Sequence, residues 1–233
     1  MTLDLLIAAI TPGLALLLIL YIMDRKNKEP LGLLLKLFFL GMVICVPIII
    51  IELALAFLNP FGGLAFLAFD AFIVAGLTEE WFKRHVVLKH GYKHPAFDEK
   101  FDGIIYAVFV SLGFATLENV LYVVFSYQNI ENLWMTRALF SVPGHMLFAI
   151  TMGYYLAMAK YAPSKREERQ FKRSALIYPM LFHGTFNFLV SLENIFYLLI
   201  FLGFVIFLWV INIIRLRKLY RQSKIKHIEK SYV

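Results

Sequence analysis

Seven stretches of this chain stay apolar for long enough to cross a lipid bilayer, at about residues 3–23, 31–58, 61–88, 103–125, 133–159, 174–190 and 195–214. A helix needs roughly 17–25 such residues to span the hydrocarbon layer. The linkers between the runs are short, with no repeat and no low-complexity tract. The expected fold is therefore all-α: a polytopic membrane helical bundle of about seven transmembrane helices, with residues 1–214 as one membrane domain and 215–233 as a basic tail. Composition agrees, since 61% of the residues are hydrophobic and the mean hydropathy is +0.73, against an apolar share of about half in soluble domains. No soluble domain is expected. The first run is 21 residues long and lacks both a basic leader and a small-residue cleavage site, so it reads as a retained helix bent at Thr11-Pro12-Gly13. Cys45 is the only cysteine, which excludes an intramolecular disulfide and a cysteine-clustered metal site.

The net charge of +7 suggests nucleic acid only until the basic residues are sorted by loop. Arg25, Lys26, Lys28 and Lys36 join runs one and two; Lys83, Arg84, Lys89, Lys93 and Lys100 join three and four. Six more fall between Lys160 and Arg173, and seven follow Ile214. Arg137 alone lies on the opposite side. The positive-inside bias then places the N-terminus outside and the C-terminus in the cytoplasm. The partner implied is an anionic bilayer in the cell membrane, with no nucleic acid.

Ionisable groups inside a membrane are expensive and tend to be functional. Here they are Glu52, Asp70, Glu79, Glu80, Glu118, Arg137, His145 and His183. At about 1.5 Å of rise per residue, Glu79, His145 and His183 fall near the midplane and Glu118 is shifted outward, so four helices bring such groups to similar depth. A carboxylate acting as general base on water needs a neighbour to hold the water and absorb charge, and histidines can do both. In FHGTFN, His183 and Asn187 stand four residues apart on one helical face, a pair of donors suited to an oxyanion, while Gly184 permits close approach. Structural readings compete. Glu52, Asp70 and Arg137 lie in the outer half, where an ion pair of Arg137 with Asp70 or Glu52 is the simplest account. Asp70, nine residues from Glu79, is half a turn round an α-helix from it. Glu80 precedes Lys83 by three residues and Arg84 by four, a favourable ion-pair orientation. His85, His90 and His94 lack a carboxylate or cysteine pattern for metal.

Taken in order, DRKNKEP, TEEWFKR, FDGIIYA, GFATLENVLY, SVPGH and FHGTFN resemble the PrsW family of membrane proteases over roughly residues 21–190. That family is similar in turn to the CAAX prenyl endopeptidases of Ras-converting type, whose pattern joins EExxxR, a later histidine and HxxxN. Those elements correspond to Glu79, Glu80 and Arg84, then His145, then His183 and Asn187; one departure is that Phe140 stands five rather than four residues before His145. The resemblance implies a glutamic-type intramembrane endopeptidase. Glu79 would activate water, Glu80 would orient it or anchor the pair to Arg84, and His145 would bind the water or shuttle a proton. His183 and Asn187 would hold the oxyanion, with Glu118 and Asn119 in support. The implied substrate is a membrane-anchored protein, an anti-sigma factor cut first on the outer side in stress signalling. Yet the expected topology puts Glu79 and Glu80 in the cytoplasmic half of their span. An outward-open cavity, a boundary shifted by a turn or two, or another substrate would reconcile the two.

No cofactor is expected. Two histidines and one glutamate would also meet the ligand count of a hydrolytic zinc site, so zinc stays open as the alternative. Two other functions compete: a proton-coupled transporter using buried Glu and His, against which no inverted repeat is visible, and a non-catalytic scaffold of the same superfamily, against which all four of Glu79, Glu80, His145 and His183 are present.

Overall fold

The computed structural model describes residues 3–24, 27–125, 134–192 and 194–230, with 124, 125 and 224–230 described by backbone alone. Arg25, Lys26, the first residue of the expected fifth span and the last three of the tail lie outside the described residues. Every element among the described residues is helical. We number them α1 (Leu3–Met23), α2 (Leu31–Phe57), α3 (63–91), α4 (Lys100–Phe125), α5 (Trp134–Lys160), α6 (Lys165–Val190) and α7 (Ile195–Lys230). Among the described residues, α1, α2, α4, α5 and α7 each contain a stretch long and apolar enough to cross a membrane. The other two expected spans, α3 and α6, are helical as well but contain no such stretch. Helix α6 begins nine residues before the expected 174 and α7 runs sixteen beyond the expected 214, because helix continues past the membrane wherever the sequence still favours it. Helix α1 continues through Pro12.

Helix α4 is the axis of the bundle. Residues 101–116 are all buried, with α1, α2, α5 and α7 packed around it. Lipid gives no hydrophobic drive for one apolar helix to prefer another over acyl chains, so packing depends on close backbone approach through small residues. A Cβ on Gly153 of α5 would stand 2.3 Å from the Gly103 carbonyl oxygen of α4, and one on Gly41 of α2 would stand 2.0 Å from that of Val110. Polar links supplement the packing. Thr151 of α5 donates to Asn212 Oδ1 of α7 at 2.9 Å, and Arg215 donates to Thr151 at 2.7 Å. In contrast, α1, α2 and α7 leave large apolar side chains such as Ile7, Val43, Leu53, Leu199 and Ile206 exposed, as lipid-facing helices do.

Helix α3 is not uniform. Gly63–Phe69 is α-helical, Asp70–Leu77 is π-helical, Thr78–Val86 returns to α, and Val87–Gly91 is π again. Thr78 Oγ1 donates to the Ile73 carbonyl at 3.2 Å at the change of winding. A second helix begins in the same way, with Arg137–Ser141 of α5 π-helical before Val142–Lys160. The five-residue interval from Phe140 to His145 starts in that wider turn, which takes up one residue more than an α turn does.

At the end of the bundle carrying the basic loops, Asp24 and Glu29 are buried against α4. The Glu29 amide donates to Asp24 Oδ2 at 3.2 Å, and the Tyr106 hydroxyl donates to Glu29 Oε2. Burial pushes the Asp24 carboxyl up to about 6 against the Glu29 amide bond, which lowers it, and the nearby Glu99 charge adds to the rise. Burial likewise pushes Glu29 up to about 7, opposed by the Tyr106 hydroxyl and aided by the charge of Asp24. Both acids hold protons more tightly folded than unfolded, so their contribution to stability falls as pH rises from about 4 to about 7. The thermal midpoint of the detergent-solubilised protein is expected to drop between pH 5 and pH 8, and the Asp24→Asn, Glu29→Gln double variant to have a measurably shallower slope. An equal slope in the double variant would count against this account of the loop.

Candidate active site

The segment Thr78–Val86 sets Glu79, Glu80 and Lys83 on an inward face, since residues three and four apart on an α-helix are neighbours. All three are buried. Lys83 Nζ donates to Glu79 Oε2 at 2.8 Å and to Glu80 Oε1 at 2.9 Å, and lies 3.1 Å from His145 Nδ1. The Phe114 ring covers it, with its centroid 4.2 Å from the nitrogen. An ammonium has three N–H donors and no acceptor, so these contacts use all three. His145 Nδ1 must then accept, which puts the proton of that ring on Nε2. Nε2 donates in turn to Glu118 Oε2 at 3.1 Å.

From Glu118 the network crosses the bundle. Arg137 Nη2 donates to Glu118 Oε2 at 2.7 Å, Arg137 Nε donates to Asn119 Oδ1 at 2.8 Å, and Asn119 Nδ2 donates to the Ala9 carbonyl of α1 at 2.7 Å. The guanidinium also lies over Tyr122, 3.9 Å from its ring centroid. Arg137 therefore pairs with Glu118, correcting the expected pairing with Asp70 or Glu52: it reaches α4, whose carboxylate already faces His145.

On the other side of the glutamates, His183 Nδ1 lies 3.1 Å from Glu80 Oε1, and its ring stacks on Phe148 with centroids 4.9 Å apart. Helix α6 can approach α3 this closely because position 184 is glycine: a Cβ there would fall 2.2 Å from the Phe72 ring. Gly76 faces the same seam, with the Met180 carbonyl oxygen 3.1 Å from where its Cβ would be. The close approach expected at Gly184 is thus made by a helix of this chain.

Glu79, Glu80, His145 and His183 each offer a ligand atom within 4.8 Å of the others. Arg84 does not join them. Its Nε donates to the Lys172 carbonyl of α6 at 3.0 Å, so the cation on the paired glutamates is Lys83 rather than Arg84. The expected ion pair of Glu80 with Lys83 is present, whereas the pairing of Lys83 with Glu79, four residues before it, is one that the same spacing could have signalled.

A cavity of about 680 Å³ opens onto this cluster. Glu79, His145, His183 and Asn187 line it with Glu118 and Arg137, whereas Glu80 does not reach it. Of the two carboxylates, Glu79 is the one presented to the cavity, and Glu80 is enclosed behind it. Glu52 and Asp70 are on the wall as well. Asp70 thus shares a cavity with Glu79 instead of facing away, because a π turn takes more residues than an α turn and the nine-residue interval closes to about two turns. A second cavity of about 610 Å³, bounded by the start of α5, the end of α6 and the start of α7, shares Arg137, Ser141, Phe186 and Asn187 with the first and is otherwise mainly apolar.

The donor types in the cluster suit zinc, but the arrangement does not. Metal bonds to carboxylate or imidazole run about 2.0–2.2 Å, whereas three of the four groups stand at hydrogen-bond distance round an ammonium.

Comparison with known proteins places the chain. The model of the PrsW family intramembrane metalloprotease matches residues 29–213. Protease PrsW of Clostridioides difficile (strain 630) is 39% identical over 225 residues, covering 96% of this chain and 94% of that protein. Protease PrsW of Bacillus subtilis (strain 168) is 39% identical over 203 residues, covering 87% and 89%. That of Geobacillus kaustophilus (strain HTA426) is 40% identical over 183 residues, covering 78% of each. No solved structure matches the chain. The buried glutamate pair and its histidines, at the foot of a cavity among apolar helices, are carried by a chain that belongs to the PrsW family and is a multi-pass intramembrane protease.

Proposed function

We propose that the chain is a glutamic-type endopeptidase that hydrolyses a membrane-anchored protein on the side away from its basic loops, with Glu79 as general base. The observation that carries this reading is the division of labour in the pair: Glu79 lines the cavity, while Glu80 is enclosed between Lys83 and His183. Glu79 takes a proton from water, and the hydroxide adds to the scissile carbonyl carbon. The oxyanion so formed is held by Asn187 and His183, both on the cavity wall. Collapse of the tetrahedral adduct breaks the C–N bond as Glu79 returns its proton to the leaving amine. His145, with both ring nitrogens engaged by Lys83 and Glu118, orients the pair rather than shuttling the proton. No step passes through a metal.

The topology follows from the loops. With the N-terminus outside, the C-terminus cytoplasmic and all seven helices crossing, the cavity wall is made by the outward ends of α2 and α4 and the outer portions of α3, α5 and α6. A site near the midplane is then reached from outside, which removes the conflict between a first cut on the outer face and the depth of Glu79. The adjoining apolar cavity beside α7 suits a chain arriving from the lipid. An anti-sigma factor with a single span is the substrate that family resemblance favours.

Three outcomes test the reading. Glu79→Gln is expected to abolish cleavage of single-span candidate substrates with a thermal midpoint near wild type, and Asn187→Ala to lower kcat roughly 100-fold; full activity in Glu79→Gln would sink the glutamate mechanism. Protein treated exhaustively with chelator should keep its activity, whereas loss restored specifically by zinc would turn the histidines into ligands. Single cysteines introduced in the loops 27–30, 92–99 and 161–164 should react only with reagent supplied from the cytoplasmic side, and labelling from outside intact cells would reverse the topology.

A further inference from the structure

We propose that Lys83 is the resident cation of the active site, holding by its ammonium the position among Glu79, Glu80 and His145 that a metal ion would otherwise take, and so positioning the base and selecting the His145 tautomer. The inference rests on the reading of Glu79 as base, but on separate observations. Lys83 is fully buried, and each of its three N–H groups meets a different acceptor at 2.8, 2.9 and 3.1 Å. Two carboxylates on consecutive residues of a buried helix face need a compensating charge at close range, and the only ammonium or guanidinium in contact with either, among the described residues, is this one. Phe114 closes the remaining side with the negative face of its ring. These separations are those of charge-assisted hydrogen bonds, longer than metal bonds to the same donors.

The arrangement has a directional consequence. Were Lys83 absent, nothing would oblige His145 to accept at Nδ1, and its Nε2–H bond to Glu118 would lose the partner that fixes it. Glu79 would keep its place on the cavity wall but not its orientation. Lys83 is therefore a positioning residue, and it separates this site from a zinc hydrolase built of the same donors: the donors are present, and the ammonium stands among them.

Four full-length proteins in detergent test this: wild type, Lys83→Met, Lys83→Ala and Glu79→Gln. Kinetics on a single-span substrate cleaved by wild type, zinc content after incubation with zinc chloride and removal of excess, and thermal midpoints with and without zinc are measured. Lys83→Met is expected to lose at least about 100-fold in kcat with KM within about twofold of wild type, as loss of positioning rather than of binding requires. Lys83→Ala, with Glu79, Glu80 and His145 freed of the ammonium beside His183, should take up about one zinc per chain and gain in thermal midpoint, since a ligand that binds the folded state stabilises it. Wild type should do neither. Stoichiometric zinc retained by wild type, or wild-type kcat in Lys83→Met, would overturn the proposal. Should Lys83→Met fail to fold, the zinc content of wild type alone still decides it. The zinc arm is independent of Glu79→Gln, which tests only the base.

Discussion

Two neighbouring glutamates enclosed within an apolar bundle repel one another and have lost the water that would screen them, so the whole site depends on how that repulsion is answered. Here one ammonium answers it from the same helix, one turn on. Because Lys83 reaches both carboxylates and an imidazole at once, it couples α3 to α5, and the other nitrogen of that imidazole carries the coupling to α4. The contacts run outward from the glutamates to the lysine, a neutral histidine, a third glutamate and an arginine. Each is hydrogen-bonded to the next, and the sequence of contacts passes through Asn119 to end at the Ala9 carbonyl of α1. Linked in this way the groups cost less to bury than the same groups taken singly, although Glu80 Oε2 is buried without a partner.

Such a network can assemble only where backbones come close enough for side chains to meet. Glycines at the α4–α5 and α3–α6 seams allow this. At Gly184 the Phe72 ring fills the space a side chain would need, and that contact draws α6 near enough for His183 to reach Glu80. The seam glycine and the histidine that reaches Glu80 thus occupy adjacent residues, one supplying the approach and the other using it.

Much of this was legible in the residues. Hydropathy delimited the helices because the bilayer sets their length, and the expense of burying charge marked Glu79, Glu80, Glu118, His145 and His183 as the groups to examine. Three things were not legible. Arg137 was paired with the wrong carboxylate because depth along a helix says nothing about which neighbour lies alongside. Asp70 was assigned to the wrong face because angular position had been counted at 3.6 residues per turn, and the segment leading to the glutamates does not turn at that rate. The spacing that pairs Lys83 with Glu80 holds, but the contacts of Lys83 with Glu79 and His145 are hidden for a different reason. At the end of an apolar run a lysine ordinarily reports topology, and only the fold reveals that this one is turned inward.

The π-helical stretch before the glutamates carries a consequence for how such a protein can diversify. A wide turn is in effect one surplus residue held in a helix, and losing it would tighten the turn and rotate everything upstream by about 100° while leaving everything downstream in place. Asp70, on the cavity wall, opens that stretch, whereas Glu79, Glu80 and Lys83 lie beyond it. A single codon gained or lost after Asp70 would thus change which side chains of this helix face the cavity without moving the glutamates and their lysine, so that the cavity wall and the buried charge cluster can drift apart within one continuous helix.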